Sequence, residues 1–348
     1  MIQRILRGRW LYLALAGIVM IIYVRGIGLA PITLEQPIDP GALREQALEV
    51  WPKELDAEGF QDATIRHPML GAVLTLLTML MGALMAGGLA YSWWHVLTGR
   101  VRTVWGFTSR RLPDWTFAEL GRVVALMIIA FSLLPLLRFA PFLERLGLPP
   151  TSPVWIPLSM LFLDLFLIIT ILAFASGKGD SPLAAVGLSA KHAGQVLAQA
   201  FKGYLVLFPP MLLVLFLTVE IIRFFNLTPP LEPIQLLLFQ QRDPAVIVVL
   251  VLLSCVIAPV AEELFFRAVL FSAVRQRTSR GLAMFLSGAA FALLHTNVVG
   301  FLPILLIGLF LSYIYERTGS LLAPIAVHIA HNSLLLALGI VVRRLLLE

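Results

Sequence analysis

Glu262 and Glu263, followed four residues later by Arg267, stand inside a stretch whose other residues belong in lipid. A charged side chain at the bilayer centre costs about 2.5–3.5 kcal/mol on insertion scales. Two adjacent carboxylates and an arginine therefore point to a function with named partners. Partners occur in two later apolar segments: His295, His328 and, one turn beyond the latter, Asn332. A carboxylate and imidazoles brought together can activate a water or relay protons. Aimed side-chain donors can stabilise a developing oxyanion.

Helical geometry divides these residues into roles. Glu263 and Arg267 are spaced i,i+4 and share a face, so they suit an ion pair that acts as an orienting clamp. Glu262 is turned away by about 100° and is left free as the reactive carboxylate. Depth agrees with this division. Glu262 lies 13 residues before Arg275, and His295 lies 14 residues after Gly281. Both are then about 20 Å from the intervening turn at 1.5 Å per residue. His328 and Asn332 follow the next turn, Arg317–Gly319, and come to a similar level. Phe291 is one turn before His295 and can pack on its ring. His331 shares part of the same stripe and competes with His328.

The segments that must position these residues span a membrane. The 348 residues are 59% hydrophobic and 13% charged, with a mean hydropathy of +0.91. Soluble domains carry about 25% charged residues, so an ordinary globular domain is excluded. Continuous apolar runs occur at 10–27, 70–97, 118–140, 154–175, 204–225, 245–274, 282–295, 301–315 and 321–342. A β-barrel would need short alternating segments instead. The expected fold is an all-α polytopic bundle of eight or nine spans. The net charge of +6 is read as a topology signal and not as a nucleic-acid surface. Arg4, Arg7 and Arg9 precede the first run, and Arg275, Arg277 and Arg280 follow the sixth. The connection 31–66 is rich in Asp and Glu. The positive-inside rule then puts the N-terminus in the cytoplasm and an acidic loop, with a short external helix, outside. Arg343 and Arg344 break that pattern, so either one late segment crosses incompletely or the count is off by one.

The chain divides in character near residue 240, into an N-terminal membrane region (1–240) and a polar-centred core (241–348). In the first part Asp164 is the clearest buried charge, and it is read as a structural pair with Arg122 or Arg138. Residues 188–201 suggest an interfacial helix, and Ala83 with Gly87 a close-packing pair. The sole cysteine, Cys255, excludes an intrachain disulfide and is read as a packing residue. His67, His95 and His192 fall at loop or interface positions.

Three motifs in order, Glu262-Glu263-x-x-x-Arg267, Phe291-x-x-x-His295 and His328-x-x-x-Asn332, resemble the signature of the CAAX prenyl protease and bacteriocin-processing (CPBP, ABI) family of intramembrane proteases. Thr318-Gly319-Ser320-Leu321 with Pro324 is similar to that family as well. The likeness covers about residues 245–340, and Ala268 stands where the family usually has glycine. It implies hydrolysis of a peptide bond in a membrane-associated protein or peptide within the lipid bilayer, in a bacterial plasma membrane. Glu262 assisted by His295 would activate water, and His328 with Asn332 would hold the oxyanion. No cofactor is firmly implied. A zinc ion on Glu262, His295 and His328 stays open, although the His-Glu-x-x-His helix of strong zinc sites is lacking. Two rivals are a transporter using the same groups as a proton relay, which would call for inverted repeats that the sequence lacks, and a silent scaffold.

Overall fold

The computed structural model describes residues 57–101, 112–137, 154–178, 181–188, 192–225, 244–295 and 300–347, together with 6, 8, 11–15, 17, 145 and 238. The acidic stretch 31–56, Arg138 and most of the first apolar run lie outside the described residues.

The described chain is a bundle of helices. In order they are α1 (Ala57–Arg66), α2 (Pro68–Leu97), α3 (Phe117–Leu137), α4 (Trp155–Ala175), the one-turn α5 (Pro182–Ala185) and α6 (Ala193–Phe224). A long helical run follows, α7, made of Pro244–Leu252, Leu253–Ile257, Ala258–Glu263, Leu264–Phe271 and Ser272–Arg275; its second and fourth pieces are π-helical. The last three are α8 (Arg280–Leu294), α9 (Phe301–Thr318) and α10 (Leu322–Leu347).

Seven of these helices are long and apolar enough to cross a membrane, fewer than the eight or nine expected. The difference has two sources. The run at 10–27 lies mostly outside the described residues, and α8 is short. Its 15 residues reach about 22 Å, less than the ~30 Å hydrocarbon core. α8 therefore stops at His295, short of a full crossing. The expected interfacial helix at 188–201 is absent as a separate element, because its second half is the start of α6.

Local chemistry sets the ends. Thr116 Oγ1 accepts the Glu119 N–H at 3.2 Å while Glu119 Oε2 accepts the Thr116 N–H at 3.0 Å, a reciprocal cap on α3. Ser279 Oγ accepts the Leu282 N–H at the start of α8. α9 ends on Gly319 at φ 62°, the left-handed cap that glycine tolerates.

α9 is the central post, packed by α6, α7, α8 and α10. Its approach to α8 is close enough that a Cβ on Gly308 would meet Gly288 Cα at 3.0 Å and Gly288 O at 3.1 Å. α2 lies against α6 through Gly88, where an added Cβ would collide with the Leu205 carbonyl oxygen. The close-packing residue is thus Gly88 and not its neighbour Gly87, whose Cβ would find only Leu205 Cδ2 at 3.8 Å. One residue along a helix turns the contact by about 100°.

Ion pairs tie one end of the bundle. Lys178 Nζ meets Glu119 Oε2 at 2.6 Å, joining α4 to α3. Arg275 and Arg280, on either side of the α7–α8 turn, both reach Glu316 Oε1 on α9, at 3.3 and 2.8 Å. Two of the arginines read as topology signals are therefore also structural partners.

Candidate active site

The clamp forms first. Arg267 Nη1 donates to Glu263 Oε1 at 2.8 Å, and both side chains are fully buried. Burying two charges costs desolvation that further hydrogen bonds help to offset, and these are incomplete here: Glu263 Oε2 and Arg267 Nε find no partner among the described residues. Arg267 Nη2 donates to the Gly308 carbonyl at 3.2 Å, and its guanidinium carbon lies 4.6 Å from the centre of the Phe291 ring. Gly308 matters here because its missing side chain lets α9 come close enough to offer that oxygen.

The clamp holds His328 and not Glu262. His328 Nδ1 lies 2.8 Å from the same Glu263 Oε1. A carboxylate paired with a guanidinium is an acceptor only, so Nδ1 carries the hydrogen. Nε2 is then the nitrogen left for chemistry, and it points at Glu262 Oε2, 3.6 Å away. Glu262 makes no other contact of this kind among the described residues, and its side chain is 29% exposed against 0% for Glu263. The two adjacent carboxylates thus differ in kind: one is sealed and structural, the other free and reachable.

His295 caps the C-terminal end of α8. Its Nδ1 lies 2.9 Å from the Phe291 carbonyl oxygen. A carbonyl accepts, so this hydrogen bond fixes the tautomer and leaves Nε2 without a proton. The His295 and His328 rings both rest on the Phe291 ring, with centroids 4.7 and 5.6 Å away. No ion pair joins His295 to Glu262 among the described residues. Asn332 Nδ2 donates to the Ser254 carbonyl on α7 at 3.2 Å, which leaves its second N–H uncommitted.

The other polar residues separate cleanly. His331 faces α6, where its Nδ1 lies 3.2 Å from the Tyr204 hydroxyl. That contact takes it away from Glu262. Cys255 is buried beside Ser333. Asp164 does not pair with Arg122, and Arg138 lies outside the described residues. The mismatch with Arg122 is one of depth. Asp164 is about 16 Å in from the end of α4 that carries Lys178, and Arg122 only about 8 Å in from the adjoining start of α3. Asp164 instead shares a face with the buried Pro157 and Ile171, seven residues either side. α4 packs on α7, and Asp164 feels the charge of Glu262. The sequence singles out Asp164 but not its nearness to Glu262, which lies nearly a hundred residues away.

The zinc set left open by the sequence does not assemble. Among the described residues no three His, Cys, Asp or Glu side chains are gathered as a metal site. A separate cavity of about 1140 Å³ opens at the end of the bundle that carries Lys178, between Asp114, Arg122, His192, Gln199 and Ser320. None of the six motif residues lines it.

Comparison with known proteins agrees with the motif reading. Residues 244–334 match the family described as type II CAAX prenyl endopeptidase Rce1-like. The chain is also 26% identical over 84 residues to "Putative membrane peptidase YdiL" of Bacillus subtilis (strain 168). That alignment covers 24% of this chain and 34% of the relative, so it spans about a third of the relative's length. No solved structure matches the chain.

Proposed function

We propose that this integral membrane protein, whose residues 244–334 carry the CPBP-family region, is an endopeptidase that hydrolyses a peptide bond in a membrane-associated protein. Glu262 takes a proton from water, which attacks the scissile carbonyl. His295 Nε2, free to accept, polarises that water, and the proton held on Glu262 then passes to the leaving amine. The spare Asn332 N–H donates to the oxyanion, and His328 Nε2 joins it when the ring carries a hydrogen on both nitrogens, each such donor being worth about 3 kcal/mol. Glu263 and Arg267 do not touch substrate; they hold the His328 ring at the right angle, as a triad carboxylate orients its histidine.

The observation that carries this reading is the contrast between Glu262 and Glu263. One reachable carboxylate faces a histidine whose other nitrogen is locked by a sealed ion pair. The substrate class that best fits the family description is a CAAX-type tail, with bacteriocin leaders and other membrane-protein segments as the alternatives. The relative's source and the arginines at the α7–α8 turn support a bacterial plasma membrane with the N-terminus in the cytoplasm.

The test is to compare new protein termini in membranes from cells carrying the wild-type chain or Glu262→Gln. Termini present only with the wild type are expected. Identical sets of termini would sink the assignment.

A further inference from the structure

The glutamates of α7 follow a π-helical stretch, Leu253–Ile257, that runs into a proline. Such stretches interrupt α-helices most often at functional sites. Here the backbone bonds reach five residues back, and the Ala258 N–H goes to the Leu253 carbonyl. The next bond in that register would run from residue 259 to the Ser254 carbonyl. Residue 259 is proline, which has no N–H to give. Inside a membrane there is no water to replace it. The Ser254 hydroxyl is engaged elsewhere, donating to the Leu250 carbonyl at 2.8 Å. Asn332 supplies the missing donor from α10, at 3.2 Å.

We propose that Pro259 and Ser254 are positioning residues of the active centre. The proline leaves the Ser254 carbonyl unpaired, and that carbonyl anchors Asn332 and the α10 helix beneath it. This deepens the hydrolytic reading above and rests on it. An amide has two N–H hydrogens. With one fixed on Ser254 O, the other points in a set direction instead of sweeping with the side chain. His328 is one turn earlier on the same face of α10, so the same anchor fixes the roll of the helix and keeps His328 Nε2 on Glu262. The clamp on Nδ1 sets the ring, and the anchor sets the helix that carries it.

Pro259→Ala tests this because it restores the backbone N–H. Alanine is the better helix former, so stability and activity should part company. The melting temperature in detergent should hold or rise. Turnover on the membrane protein whose cleavage is lost in Glu262→Gln should fall roughly tenfold or more, with KM unchanged, since a freed donor is a weakened donor. A purely structural proline would lower both together or neither, and either result overturns the proposal.

A melting cycle needs no substrate and so stands apart from the protease reading. Asn332→Ala should lower the melting temperature by a few degrees in the wild-type chain. It should cost clearly less in Pro259→Ala, where Ser254 has a backbone partner. Equal losses in both backgrounds would overturn the anchor. If Asn332→Ala fails to fold alone, recovery in the Pro259→Ala background supports it, and failure in both sinks it.

Discussion

α2 and α9 are both long and apolar enough to cross a membrane, yet 6% of the apolar window of α2 is buried against 61% for α9. Hydrophobicity does not explain the difference. The outward surface of α2 is Leu76, Met79, Leu80 and Trp93, while the buried surface of α9 includes Gly308, Ser312, Glu316 and Thr318. In water the large apolar residues go inside. In lipid they gain nothing by doing so, and what sorts helices is small residues that let backbones approach and polar groups that need partners. α9 holds the site because it offers both: the Gly308 carbonyl, which accepts from Arg267 as well as from the Ser312 hydroxyl, and a carboxylate at Glu316 for the α7–α8 turn.

The comparison can be broken most severely at the clamp. Arg267→Ala or Glu263→Gln leaves one buried group unpaired, a loss of about 3–5 kcal/mol. Both variants should melt well below the wild type in detergent and lose activity with it. Unchanged melting for both would mean that the pair is not sealed. Next come the close contacts. Gly308→Ala pushes α8 and α9 apart, and Gly88→Ala drives a Cβ into the Leu205 carbonyl. Each should cost roughly 1–3 kcal/mol by overpacking. Gly88 sharpens the comparison, because it lies on the helix with little burial. If melting shows Gly88→Ala to be neutral, close approach is not what docks α2.

Glu316→Gln should cost less, about 1 kcal/mol. Arg275 and Arg280 keep side-chain exposures of 31% and 32%, and solvent screens such pairs. Added salt should narrow the gap between variant and wild type; a gap that salt does not change would mark the contact as something other than charge. The smallest effect belongs to the outer face of α2. Leu76→Ala and Met79→Ala should each stay within about 0.5 kcal/mol, and a larger drop would reveal a helix packed on that face.

Much of this was legible in the sequence. Charges in apolar runs marked the helices that matter, and i,i+4 spacing found the Glu263–Arg267 pair. What spacing could not give was the third partner. The sequence names no residue for the clamp to orient; in the fold it holds His328, 65 residues away on α10. Two π-helical stretches on α7 contribute to that gap. Each adds a residue to the backbone register, so a count of 100° per residue drifts across the very segment that carries the glutamates. Glycines gave no signal either, since Gly308 and Gly88 look like any others until a second backbone is seen against them. The Arg122 half of the Asp164 reading failed for a related reason, Arg138 lying outside the described residues. Its partner was sought on the neighbouring helix in the chain, whereas α7 is its neighbour in space.

The central claim is that Glu262 and Glu263, adjacent in the chain, do separate work, one chemical and one architectural. Side-by-side melting and cleavage assays of Glu262→Gln and Glu263→Gln in the same detergent test it most directly. The expected result is a Glu262→Gln protein that melts like the wild type and cleaves nothing, beside a Glu263→Gln protein that loses both stability and cleavage. Equal melting temperatures for the two variants, or residual cleavage by Glu262→Gln near the wild-type level, would contradict it.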